Sequence, residues 1–289
     1  MSLPPKDWPL AEHSKALSAG ATDWHLQRIG DKGPKLLFLH GTGASVHSWR
    51  DILPTLGAKA QTLAIDLPGQ GYSPSTVRAY GLREMTVEII ALLEALDFYP
   101  DLIVGHSAGV PIALALQLDL PNSPKVFGIS PALSAFGGPA SLFFSAVARG
   151  LALTPIFAKG FSFFNGTTAR TRYLIRETGS KISDEGIDLY RRLVANSDHT
   201  YAALCMMADW DLDAFRRRLR SEQIEALFWI GDTDRATPLS DLKEAMNHVK
   251  NVEIIVEPDA GHLLHEEKPE RTIALVNQIL DSPKTKKAP

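Results

Sequence analysis

The sequence predicts an α/β protein: a doubly wound, mostly parallel sheet with one helical insertion. Three observations carry this. Apolar strand-like runs alternate with amphipathic helical stretches over the first 130 residues. The alternation stops from Pro131 to about Leu219, where only helical stretches follow one another, and it resumes at Glu225. A βαβ series interrupted once implies a single sheet carrying a cap, with residues 1–130 and 220–289 as the core and 131–219 as the insertion.

The elements follow in order. Trp24 to Ile29, Lys35 to Leu39 and Gln61 to Ile65 read as strands. Leu82, Met85, Ile89, Leu92, Leu93 and Leu96 recur at helical spacing, so Tyr80 to Leu96 is an amphipathic helix lying on the sheet. Asp101 to Val104 is a strand, Val110 to Leu116 a helix and Lys125 to Ile129 a strand. After the insertion come the strand Glu225 to Ile230, the helix Ser240 to Val249, the strand Val252 to Val256 and the helix Pro269 to Leu280.

Composition narrows the function classes. The 289 residues carry 30 Lys and Arg against 33 Asp and Glu, a formal net charge of −3 without a long basic stripe, which argues against nucleic acid as a partner. Cys205 stands alone, so no internal disulfide can form and the expected compartment is the reducing cytoplasm. Met1 to Gly20 places Pro4, Pro5, Lys6, Asp7, Glu12 and His13 where a signal peptide needs an apolar run. Uncharged residues extend from Val126 to Ala148, but Pro131, Gly137, Gly138 and Pro139 break the run, so a membrane span is rejected. Leu142, Phe143 and Phe144 keep peripheral contact with a membrane surface among the expectations.

The chemistry concentrates after strands. Gly105-His106-Ser107-Ala108-Gly109 joins an apolar strand to a helix, the setting of a nucleophile elbow, in which glycines admit a tight turn that lifts a serine above the sheet. A serine hydroxyl is a weak nucleophile and needs a base oriented by an acid. His262, after the strand Val252 to Val256, is the expected base, and Asp234, after Glu225 to Ile230, the expected acid. Asp232, beside Gly231, is the alternative acid. The order Ser107, Asp234, His262 differs from those of chymotrypsin and subtilisin. His40-Gly41-Thr42-Gly43 follows the strand Lys35 to Leu39 and supplies the oxyanion loop, with the Thr42 and Ala108 N–H groups as expected donors. His40 and His106 flank this centre as loop-orienting or pocket residues. Asp259, His262 and His265 suggest a metal site, but the base role already accounts for His262 and no ligand-spaced cysteine or second histidine motif supports zinc, so no metal is expected. Acyl transfer through Ser107, His262 and Asp234 requires no cofactor.

The insertion holds eight of the twelve phenylalanines: Phe136, Phe143, Phe144, Phe157, Phe161, Phe163, Phe164 and Phe215. They read as the insertion's own core, as an apolar roof over a substrate, or as both. On the second reading Phe136, Phe143 and Phe144 line the pocket together with Met206 and Trp210. Cys205 reads as a small apolar packer. Arg170, Arg172, Arg176, Arg191 and Arg192 read as a solvated helix face, a minority reading having one or two of them meet a substrate carboxylate.

From the strand Lys35 to Leu39 before His40-Gly41 to the last helix after Pro269 the chain resembles the α/β-hydrolase-fold proteins, and Asp66-Leu67-Pro68-Gly69-Gln70-Gly71-Tyr72-Ser73 matches their usual loop after the next strand. Longer stretches are similar to one branch, the magnesium-chelatase accessory proteins of bacteriochlorophyll biosynthesis. They are His40 to Ser45 leading to His47-Ser48-Trp49-Arg50, the elbow, Thr178-Gly179-Ser180, Leu189-Tyr190, and Met206-Met207-Ala208-Asp209-Trp210-Asp211-Leu212. The fold resemblance implies acyl transfer to water through Ser107, His262 and Asp234, with an apolar ester as the default substrate. Carbon–carbon hydrolysis of a diketone and cofactor-free oxidation use the same residues on similar scaffolds. The branch resemblance implies instead an accessory protein that binds a tetrapyrrole or a chelatase subunit without hydrolysis.

Overall fold

The computed structural model describes residues 3–74, 80–134, 154–210 and 212–282. Among them eight strands form one sheet: β1 (Ser14–Ala19), β2 (Thr22–Ile29), β3 (Lys35–Leu39), β4 (Gln61–Ile65), β5 (Leu102–His106), β6 (Lys125–Ile129), β7 (Ala226–Gly231) and β8 (Val252–Glu257). Their order is β1-β2-β4-β3-β5-β6-β7-β8. β2 runs antiparallel to both β1 and β4, and the remaining neighbours are parallel. The sequence reading passed over β1. Ser-Lys-Ala-Leu-Ser-Ala holds one large apolar residue, and it becomes a strand by pairing along β2, from Ser14↔Gln27 to Ala19↔Thr22.

Strand alternation divides the core into two layers, because successive side chains point to opposite faces. Leu36 and Phe38 of β3 join Leu102, Val104, Phe127, Ile129 and Trp229 on one face. Leu37 and Leu39 join Leu63, Ile65, Ile103, Phe228 and Ile230 on the other. Both faces are covered, so the parallel strands read as continuous apolar runs rather than alternating ones. On the first face lie α1 (Leu53–Gly57) and, from the far end of the chain, the helix Pro269–Asp281, through Leu275 and Val276. On the second lie α2 (Leu82–Ala95) and α3 (Gly109–Asp119). Val110, Ile112, Leu114 and Leu116 of α3 are all fully buried, at about 2 kcal/mol of transfer free energy each.

Between β6 and β7 the described residues hold α4 (Pro155–Asn165), α5 (Thr168–Glu177), α6 (Asp184–Val194), α7 (Ser197–Ala208) and α8 (Asp213–Ser221), and no strand. Three of these helices begin where a side chain caps them: Thr167 accepts from Arg170 N–H, Ser183 from Gly186 N–H, and Asn196 from Asp198 and His199 N–H. After β7 come α9 (Leu239–Ala245), α10 (Leu264–Glu267) and α11, the Pro269–Asp281 helix.

The inserted helices are fastened to the loops at the carboxyl ends of the strands. Ile175, Ile187 and Tyr190 pack with Ala44 and Leu263. Tyr190 donates its hydroxyl to Glu266 Oε1 at 2.7 Å, while Glu266 Oε2 accepts from Arg50 Nη1 at 2.8 Å. Arg172 and Arg191 pair with Asp184 and Asp188 on the surface, as a solvated face would. Arg192 does more: its guanidinium takes both carboxylate oxygens of Asp7 and stands over the Trp8 ring. Tyr190→Phe leaves the buried Glu266 carboxyl one partner short and is expected to cost about 1–3 kcal/mol. A lower urea midpoint checks this; an unchanged midpoint would show the hydroxyl to be dispensable.

Candidate active site

Ser107 sits at the turn from β5 into α3 with φ of 51°, in the left-handed region that costs a non-glycine residue about 1–2 kcal/mol. The surroundings impose that conformation. Ser107 N–H donates to Ile129 O at 2.9 Å, and its carbonyl accepts from Val110 and Ala132 N–H. The flanking glycines are required by space: a Cβ on Gly105 would lie 2.6 Å from Gly109 O, and one on Gly109 would lie 2.4 Å from Leu39 O.

Asp234 and His262 meet, as the order of the motifs predicts. His262 Nδ1 lies 2.9 Å from Asp234 Oδ2. Because a carboxylate only accepts, Nδ1 carries the hydrogen and Nε2 is the basic nitrogen. Ala236 and Thr237 N–H both donate to Asp234 Oδ1 at 2.9 Å, and Thr237 Oγ1 donates to Oδ2 at 2.9 Å. Burial alone would raise the Asp234 carboxyl, but the facing His262 and these donors outweigh it and hold it below its ordinary value. Asp232 is exposed, and among the described residues its side chain makes no hydrogen bond to His262. Thr237 was missed from sequence. It stands three residues after the acid, with its hydroxyl also 3.3 Å from His262 Nδ1.

The loop His40 to Ser45 rests on the elbow. A Cβ on Gly41 would lie 2.8 Å from His106 Nδ1 and 2.9 Å from Ser107 Cβ. Among the described residues neither the Thr42 nor the Ala108 backbone N–H donates to a protein acceptor. His40 is fully buried and ties two loops: Leu67 N–H donates to its Nε2 at 2.9 Å, and Nδ1 donates to Gly41 O at 2.8 Å. That corrects its place as a pocket residue, since both ring nitrogens are spent on backbone. His106 likewise turns inward, donating from Nε2 to His262 O at 3.0 Å, with the two rings 4.9 Å apart.

A string of buried imidazoles lies behind His262. The His265 ring stands 4.4 Å from that of His106 and 4.5 Å from that of Trp49, while His47 stands 4.7 Å from Tyr190. Burial lowers the pKa of His40, His47 and His265, brings His106 to about 3 and brings His199 to about 4. All five are neutral in the folded protein near pH 7. Unfolded, they titrate near 6.5, so stability is full above that value and is lost as pH falls toward 4 and then 3. The melting temperature is expected to drop steeply from pH 6.5 to 4. A flat profile from pH 7 to 5 would contradict the buried neutral array.

The remaining predicted pocket residues divide. Phe136, Phe143 and Phe144 lie outside the described residues, as does Leu142. Met206 is fully buried behind the Thr42 loop, its sulfur accepting from Thr42 Oγ1 at 3.3 Å, so it supports the loop instead of lining a pocket. Trp210 is half-buried against the larger core, and Cys205 is buried in α7. Of the other cap phenylalanines, Phe215 is buried and Phe157 and Phe161 are half-buried. Phe163 and Phe164 are 79% and 71% exposed, which corrects their reading as core or roof: α4 turns Ala158 and Ser162 inward and leaves this pair on its outer side.

Residues 36–275 match the model of the alpha/beta hydrolase family. A magnesium-chelatase 30 kDa subunit of Rhodobacter capsulatus is 37% identical over 264 residues, which is 91% of this chain and 92% of that relative. An esterase of Mycobacterium tuberculosis is 25% identical over 285 residues, 95% of this chain and 90% of that one. Among solved structures, an alpha/beta hydrolase fold protein from Burkholderia ambifaria matches with a TM-score of 0.75 at 22% identity, covering 92% of this chain and 100% of that chain.

Proposed function

The chain belongs to the α/β hydrolase family, and from that premise we propose that it is a serine hydrolase acting on an apolar ester or a related carbonyl compound. The observation that carries this reading is the 2.9 Å contact of His262 Nδ1 with Asp234, at the same end of the sheet as the strained Ser107 turn. His262 Nε2 takes the Ser107 proton as Oγ attacks the carbonyl carbon. The oxyanion forms against the Thr42 and Ala108 N–H groups. His262 then returns its proton to the departing alkoxide, leaving an acyl-serine. Water, activated by the same nitrogen, attacks that ester and releases the acid and Ser107. Asp234 keeps its charge throughout, because its carboxyl is held below the ordinary range.

The apolar character of the substrate is supported by the insertion's phenylalanines other than the exposed Phe163 and Phe164, Phe136, Phe143 and Phe144 among them. Among the described residues no helix is long and apolar enough to cross a membrane. We place the protein in the cytoplasm on its single cysteine.

A second reading is favoured by the 37% identity to a magnesium-chelatase subunit: an accessory protein that binds a tetrapyrrole or a chelatase subunit. Fluorescence titration of protoporphyrin with wild type and Ser107→Ala, beside a chelatase assay supplemented with each, separates the two. Hydrolysis of a pigment ester predicts that binding survives the substitution while stimulation disappears. A purely accessory role predicts that both survive. No porphyrin binding leaves a general ester hydrolase.

A further inference from the structure

The oxyanion loop is held from behind by the inserted helices, and this bears on how the proposed reaction is tuned. Gly41 and Gly43 flank Thr42, and Gly43 has φ of 79°, so the loop has little stiffness of its own. An oxyanion donor acts only if it is aimed before charge develops. Ties from within the loop and from outside it hold its peptides. Gly41 O, in the same peptide as the Thr42 N–H, accepts from His40 Nδ1 and, at 3.1 Å, from Ala44 N–H. Gly43 N–H, in the next peptide, donates to Gln70 Oε1 at 2.7 Å. Gly43 O accepts from His199 Nε2 at 3.2 Å.

Two of the anchors come from α7. His199 Nδ1 accepts from Gly71 N–H at 2.8 Å, which leaves Nε2 as the donor to Gly43 O and fixes one neutral tautomer. Met206 lies seven residues later on the same side of the helix, and its sulfur accepts from Gln70 Nε2 at 3.2 Å as well as from Thr42 Oγ1. The helix sits hard against the Gly69–Gly71 turn: a Cβ on Gly69 would lie 2.6 Å from Ala202 Cβ.

We propose that α7 is the rear support of the oxyanion loop and that His199, Met206 and Gln70 are positioning residues for the Thr42 N–H. The inserted helices are then part of the reaction scaffold as well as a cover over it. This rests on the serine-hydrolase reading, under which Thr42 N–H meets an oxyanion.

The test compares wild type, His199→Leu, His199→Gln and Met206→Leu on a p-nitrophenyl ester and an alkyl boronic acid that mimics the tetrahedral adduct. His199→Leu is expected to lower kcat by about 10- to 100-fold, less than outright removal of an oxyanion donor, with KM within about twofold and boronic acid affinity falling in parallel with kcat/KM. His199→Gln, whose amide can both donate to Gly43 O and accept from Gly71 N–H, should recover most of the loss. Met206→Leu keeps the volume, and with it the fold, and should lower kcat by about threefold or more through the lost sulfur contacts. Wild-type kcat in folded His199→Leu or Met206→Leu would overturn the proposal. So would equal losses in His199→Leu and His199→Gln, or a rise in KM alone. Labelling of wild type by a fluorophosphonate separates the two levels. Labelled wild type with unmoved variants overturns only the role of α7, whereas unlabelled, inactive wild type overturns the hydrolase reading and this proposal with it.

Discussion

Ser107→Ala is expected to lower ester hydrolysis by about a thousandfold or more while leaving the fold intact. The substitution removes one hydroxyl from a residue whose backbone is held by Ile129, Val110 and Ala132, none of which contacts through that hydroxyl. The elbow therefore keeps its shape. The Thr42 and Ala108 N–H groups and the His262–Asp234 pair survive, but nothing is left to form the acyl intermediate. Turnover of p-nitrophenyl esters, with circular dichroism and the melting temperature as controls, checks this. Near wild-type turnover would remove Ser107 from the mechanism.

The second large effect concerns the acid. Asp234→Asn presents an amide to His262 Nδ1 where a carboxylate now accepts at 2.9 Å. An amide that donates there drives the hydrogen to Nε2, and that nitrogen can no longer take the serine proton. A loss of about 10⁴-fold in kcat is expected, as in other Ser-His-Asp enzymes given this change. Asp232→Asn, altering an exposed residue, should leave kcat within about twofold. The reverse ranking would move the acid to Asp232.

These effects can be stated because the candidate site residues stand out in the sequence, and the reason is local. Each of Ser107, Asp234, His262 and Thr42 lies in the loop that follows a short strand, and the glycines of these loops mark turns that a parallel sheet places at one end. β3, β4 and β6 carry the bounds read from their apolar runs. β1 escaped because a half-exposed edge strand needs no continuous apolar run. Thr237, three residues from Asp234, could have been found as a hydroxyl placed to brace the acid turn.

The network behind the site was illegible for a different reason. Arg50 and Glu266 are 216 residues apart, Tyr190 and Glu266 are 76 apart, and His199 bonds a loop 156 residues earlier. No spacing rule joins such pairs. Yet the stretches on which the resemblance to the chelatase-accessory branch rests are among those that make the contacts. Tyr190 binds Glu266, Met206 backs Thr42, and Ser180 Oγ accepts from Leu263 N–H beside His262 at 2.8 Å. The resemblance thus falls on residues that fasten the insertion to the loops of the site. The exposed Phe163 and Phe164 show the opposite failure: aromatic content alone says nothing about which side of α4 faces inward.

Treatment of the protein with a fluorophosphonate at neutral pH, with the adduct located by peptide mass spectrometry, decides whether Ser107 is an activated nucleophile. One stoichiometric adduct on Ser107 is expected, abolished by Ser107→Ala and strongly slowed by Asp234→Asn. An adduct on another residue, or no adduct on protein shown to be folded, would contradict that assignment.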